Sequence, residues 1–232
     1  MRAMESLRTV QNAIGNAEDA LRHAGLVLIE LDTVAESSVG VLNEASLEAF
    51  RARDEKDPVR RAERLHDVTD AHLLRLRTRA DFIANGSRDL IEHLDRATVA
   101  ADYANRTLET MAPVGGHRED LARLQSHVAR IGAVLTHAVP LAEQLTHHGD
   151  AILKLTGVAN DPTDQRLLET HQRVGRTVES VDLPRSLIVG GHASSKTALG
   201  LTGDLTYALD RPPDLGPGDP GVFGGRHAAP RR

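Results

Sequence analysis

The chain has 232 residues and a formal charge of −5. That is enough length for one domain or two small ones, with no electrostatic pull toward nucleic acid or an anionic membrane. Cysteine is absent, which excludes disulfides, thiolate catalysis and cysteine-based zinc sites. Aromatic residues make up 2% and tryptophan is missing, so a core must come from Leu, Ile, Val and Ala, a composition that favours helix.

The amino terminus, MRAMESLRTV, carries no hydrophobic signal region. No apolar run approaches the roughly 20 residues of a membrane helix. A cytoplasmic protein without membrane contact is the expectation.

The first segment, about residues 3–53, repeats every seven positions. Leu7, Ile14, Leu21 and Leu28 form one column, and Val10, Ala17, Ala24 and Leu31 the other. Spacings alternating between three and four define a helix with one apolar seam. The pattern weakens at Ser37–Gly40 and resumes at Leu42. The charged run Arg53–Asp57 ends it, and Pro58 suits the first turn of a second helix.

That second helix, about 58–111, holds one register throughout. One column runs Val59, His66, Leu73, Ala80, Ser87, Leu94, Ala101, Leu108; the other runs Ala62, Thr69, Leu76, Ile83, Leu90, Ala97, Ala104, Met111. Gly86, between Asn85 and Ser87, marks the expected bend. Ala112–Gly116, with Pro113 inside it, stops the helix.

A third helix is expected over 117–156, kinked but not ended by Pro140. A fourth is expected over 162–181. Asp161 serves as N-cap and Pro162 stands at the first position. Leu167, His171, Val174, Val178 and Val181 line one face, and Pro184 closes the helix. Residues 1–181 form the helical domain. Residues 182–232 are read as a Gly/Pro-rich, mostly disordered tail, with a weak helix near 193–209.

A chain turning near 54–58 places positions summing to about 112 opposite each other. Acidic Glu30, Asp32, Glu36, Glu44 and Glu48 then face basic Arg60, Arg61, Arg64, Arg75, Arg77 and Arg79. Arg22 approaches Asp89. Such pairs add little stability but select the antiparallel arrangement. The expected fold is all-α: an elongated antiparallel helical hairpin or coiled coil, extended to a three- or four-helix bundle.

Three patterns bear on chemistry. Gly190, Lys196 and Thr197 outline a phosphate-binding loop, but Ser195 stands where the second glycine belongs, and no strand–helix units surround it. They are expected to lie in a linker. Glu63 and His66 match half of a di-iron carboxylate signature, without a second copy. His66 and Thr69 fit a polar layer in the seam instead. Arg75, Arg77 and Arg79 are the densest basic run, with no aromatics for stacking on bases. No Gly-x-Ser-x-Gly elbow is present.

The long-hairpin outline resembles small helical-hairpin substrates of actinobacterial specialised secretion. Their Trp-x-Gly and Tyr-x-x-x-Asp/Glu motifs are missing: Thr107 follows Tyr103 by four residues and Arg211 follows Tyr207. No family is assigned on that outline.

The function expected is a non-catalytic interaction or scaffold protein without cofactor. It would bind a helical partner, or itself, along a seam of Leu7, Ile14, Leu21, Leu28, Leu73, Leu76, Ile83, Leu90, Leu94 and Leu108. Two alternatives are a DNA-associated regulator using the Arg-rich second helix and a metal- or nucleotide-dependent enzyme.

Overall fold

The computed structural model describes residues 2–111, 117–157 and 163–210. They form four long helices, α1 (Arg2–Ala52), α2 (Pro58–Thr110), α3 (Arg118–Gly157) and α4 (Thr163–Asp210), with no strand among the described residues. At 1.5 Å per residue α2 is about 80 Å long. Each helix packs against the next and α4 returns to α1, while the diagonal pair α2 and α4 barely meets. Neighbours are antiparallel: Glu44 pairs with Arg75, Arg88 with Asp150, and Glu18 with His192. The result is an up-down-up-down four-helix bundle.

Local sequence explains the start of α2. Asp57 caps α2, its carboxylate accepting from the Val59 N–H at 2.9 Å, with Pro58 in the first turn. α2 passes through Gly86 without ending, and α3 passes through Pro140. The expected cap at Asp161–Pro162, the stop at 112–116 and the tail at 211–232 lie outside the described residues.

The heptad columns become a core of three stacked clusters. Leu7, Leu108, Leu121 and Leu205 meet at one end. Leu21, Leu28, Leu90, Leu135 and Ile188 fill the middle. Leu42, Leu73, Leu76, Ile152 and Val174 fill the other end. All ten residues expected to form an interaction seam are at most 1% exposed. The seam is therefore the bundle's own interior.

Two expectations need correction. α4 does not end at residue 181: it continues through Pro184 to Asp210. The heptad steps from Leu167, Val174 and Val181 run on through Ile188, Ser195 and Thr202. The intervening positions are Thr170, Thr177, Pro184, Gly191, Ala198 and Leu205. Burial follows this register, so Thr170 and Thr177 take the inner places expected for His171 and Val178. Their hydroxyls donate to the carbonyls of Arg166 and Arg173, four residues back, so burial leaves neither unbonded.

The second correction concerns the pairing of α1 with α2. Arg79 donates to Ser37, Arg75 to Glu44, and His72 lies 3.0 Å from Glu48, so opposing positions sum to about 116–120, not 112. Glu48 is four residues from the end of α1, whereas His72 is fourteen from the start of α2. About ten residues of α2, or ~15 Å, thus overhang α1. Residues 58–64 are all exposed, and Val59 and His66 leave the core column expected of them. The Glu44–Arg75 pair forms as expected. Asp32 and Glu18 turn to α4 instead, pairing with Arg185 and His192, and Arg22 pairs with Asp19 on its own helix.

Candidate functional site

The sequence-derived candidates are dispersed by the fold. Gly190, Lys196 and Thr197 sit in the interior of α4, where each backbone N–H is committed to a carbonyl four residues back. None is free to wrap a phosphate, and the Thr197 hydroxyl donates to the Ala193 carbonyl at 3.0 Å. Glu63 is exposed on the overhang of α2. His66 lies 3.4 Å from Asp70, which also takes the buried Arg166 at 3.3 Å. Among the described residues, no group of three or more His, Asp or Glu side chains is placed to hold a metal ion.

A groove lies along the outer face of α1 and α2. Its upper part encloses about 870 Å³ between Thr9, Asn12, Asn16 and His23 of α1 and His93, Arg96, Val99 and Tyr103 of α2. A second hollow of about 300 Å³ continues the same line between Val27 and Glu30 and Thr78, Asp81, Phe82 and Asp89. The α1 positions 9, 12, 16, 19, 23, 27 and 30 recur at helical spacing, as do 82, 85, 89, 93, 96 and 103 of α2. The two hollows therefore lie in line along one face and flank the seam as an interrupted groove. Small side chains form its upper floor: Ala13 and Ala20 of α1 and Ala100 of α2.

Its centre holds two histidines that lie far apart in the sequence. The rings of His23 and His93 stack at 5.5 Å between centroids and 19° between planes. His23 Nδ1 is 2.7 Å from the Asp19 carbonyl, so it carries the proton and donates. Burial holds the pKa of His93 below its ordinary value, with His23 and Arg96 acting in the same direction and Glu92 and Asp89 opposing. Near-parallel stacked rings hold their in-plane lone pairs in two separate, near-parallel planes, which do not converge on one ion. The pair is built as a flat stacking surface and not as a metal clamp.

The groove's chemistry is acidic and apolar. Glu30, Asp81 and Asp89 line its lower half and Asp95 lies above them, none in an ion pair among the described residues. Asp19 and Glu92 are neutralised by Arg22 and Arg96 on their own helices. Phe82, Val99 and Tyr103 stand exposed among these carboxylates. The α3–α4 face differs in sign: its small hollow is lined by His127, Arg130, Ser194 and Thr197.

Sequence reasoning missed this groove for one reason. A register summing to 112 sets His23 against Asp89, whereas the observed offset brings it to His93. On α3, Asp150 pairs with Arg88 of α2 at 2.8 Å, and His148 lies near Arg173 and Arg176 of α4.

No protein-family model matches the chain, and no curated protein is significantly similar to it in sequence.

Proposed function

We propose that the protein is a non-catalytic docking scaffold whose α1–α2 face receives a segment of a partner protein that is basic and apolar. The observation that carries this reading is the pair of aligned hollows, in which Glu30, Asp81, Asp89 and Asp95 share one face with exposed Phe82, Val99 and Tyr103. Exposed aromatics supply contact area, and a rim of one charge sign selects a partner of the opposite sign. The four helices behind the groove supply a stiff support, since their own apolar residues are already buried against each other.

The expected mode of binding shifts accordingly. A partner helix cannot enter the seam, because Leu21, Leu28, Leu90 and Leu94 already close it. It lies outside, across the two helices.

A photo-crosslinking amino acid at Phe82, tested in the native host, checks the proposal. Adducts to a partner protein are expected, lost when Glu30→Lys and Asp89→Lys are combined. The same probe at Leu183, on α4, is expected to give none. Equal adducts from both faces, or none from Phe82, would overturn the proposal. A low-salt gel shift addresses the DNA-binding alternative. Arg75 is engaged by Glu44 and Arg79 by Ser37, so no retardation of duplex DNA is expected.

A further inference from the structure

The groove has a candidate occupant within the same chain. α4 ends at Asp210 in the cluster that holds Leu7, Leu108 and Leu205, the end of the bundle where the groove opens between Thr9 and Tyr103. Residues 211–232 follow from that point with the sequence RPPDLGPGDPGVFGGRHAAPRR. This segment has one aromatic residue, Phe223, and its last seven residues contain Arg226, His227, Arg231 and Arg232 but no acid. We infer that residues 211–232 bind the α1–α2 groove of their own chain, Phe223 against the stacked histidines and the terminal arginines over Glu30, Asp81 and Asp89. The inference rests on the docking role proposed above and specifies how that site is regulated: a partner must displace the tail.

Length and charge both favour this placement. The groove from Thr9 to His23 covers fourteen residues of α1, about 21 Å, and Glu30 lies about 32 Å along. Passing around α1 from the α4 side adds roughly one helix diameter, about 10 Å. Phe223 is thirteen residues beyond Asp210 and reaches at most about 43 Å, enough for the histidine pair. Arg226 to Arg232 reach about 53–73 Å, beyond the lower acidic stretch, so they arrive there with slack. Proline-rich backbone needs no helical partner and favours aromatic-lined grooves, which Tyr103, His23 and His93 supply. The α3–α4 hollow is an unfavourable alternative, since His127 and Arg130 repel the same arginines.

Paramagnetic relaxation in the full-length chain tests the inference directly. The protein has no cysteine, so Gly224→Cys provides a single site for a nitroxide label. Amide signals of Asn85, Asp89 and His93 are expected to lose most of their intensity, while those of α3 are retained. High salt, or Glu30→Lys combined with Asp81→Lys and Asp89→Lys, is expected to restore them. Loss confined to the end of α4, or spread evenly over all four helices, overturns the inference. So does loss that appears only when labelled and isotope-enriched chains are separate molecules, which would assign the groove to a second copy. Partner adducts at Phe82 without tail-dependent broadening would leave the docking role standing and remove the tail from it. Broadening without partner adducts would do the reverse.

Discussion

α1 and α4 lie side by side, antiparallel, and fill one core from opposite sides, yet they are built from different material. The inner positions of α1 are nearly all aliphatic, from Leu7 to Leu42, with Ser38 the one hydroxyl among them. Those of α4 include Thr170, Thr177, Pro184, Gly191, Ser195 and Thr202. Both are continuous helices and both are buried along one stripe. The difference shows that a helix of modest apolar content can be held by its neighbours once three strong helices define a trough. Most helical stability in proteins comes from such packing and not from intrinsic propensity.

The largest effect separating the two should come from truncating the inner stripe. Leu28→Ala is expected to cost about 2–5 kcal/mol, because Leu28 is fully enclosed and its removal leaves a cavity. Thr177→Val, the matching probe in α4, is expected to change stability by less than about 1 kcal/mol, since the lost hydroxyl bond is local and the volume is kept. Urea unfolding of both variants checks the contrast. Equal losses would show that α4 contributes to the core as α1 does.

Glycine gives a second, smaller contrast. A Cβ added at Gly149 of α3 would lie 2.7 Å from the Ala84 backbone nitrogen and 2.9 Å from its Cα. Backbone cannot yield as a side chain does, so Gly149→Ala is expected to destabilise by about 1–3 kcal/mol despite its better helix propensity. In α4, Gly175, Gly190, Gly200 and Gly203 have nothing within 4 Å of a new Cβ. Each replacement by Ala there is expected to stabilise by about 0.5–1 kcal/mol. Thermal melts of Gly149→Ala and Gly190→Ala should therefore shift in opposite directions. A rise for both would mean that α2 and α3 can separate locally at no cost.

The same contrast explains what could be read from the sequence. α1, α2 and α3 announce themselves by leucines in strict heptads, and Pro140 did not mislead because Leu135, Ala138, Ala142 and Leu145 keep step across it. The later half of α4 was hidden because its inner column is Pro184, Gly191, Ser195 and Thr202, residues that usually punctuate a chain. Only the seven-residue spacings from Val181 to Ile188 and from Ala198 to Leu205 marked it. The groove was hidden differently. Every residue in it was visible, but its assembly depends on the offset between α1 and α2. That offset leaves residues 58–64 overhanging, and no local pattern encodes it. A shift of four positions changed His23's neighbour from a carboxylate to another imidazole.

The smallest expected effect sharpens the contact between α4 and its other neighbour. His148 of α3 is half-buried, its Nδ1 has no hydrogen-bond partner, and Arg173 and Arg176 of α4 lie near. Burial lowers its pKa most, and the two arginines and His147 lower it further. In the unfolded chain the same ring titrates near 6.5. Above that pH neither state holds the proton and stability does not depend on this group. As pH falls below about 6.5 the unfolded chain takes up the proton first, so stability drops until the folded ring is protonated as well. His93, whose pKa is also lowered, acts in the same direction on the α1–α2 side. Urea midpoints should thus decline between pH 7 and pH 5, with part of the decline removed by His148→Gln and a separate part by His93→Gln. The two contributions should add, because the residues lie on different faces and share no partner. An unchanged slope in His148→Gln would mean that Arg173 and Arg176 swing away on protonation, and that the α3–α4 contact is looser than the aliphatic packing of α1 against α2.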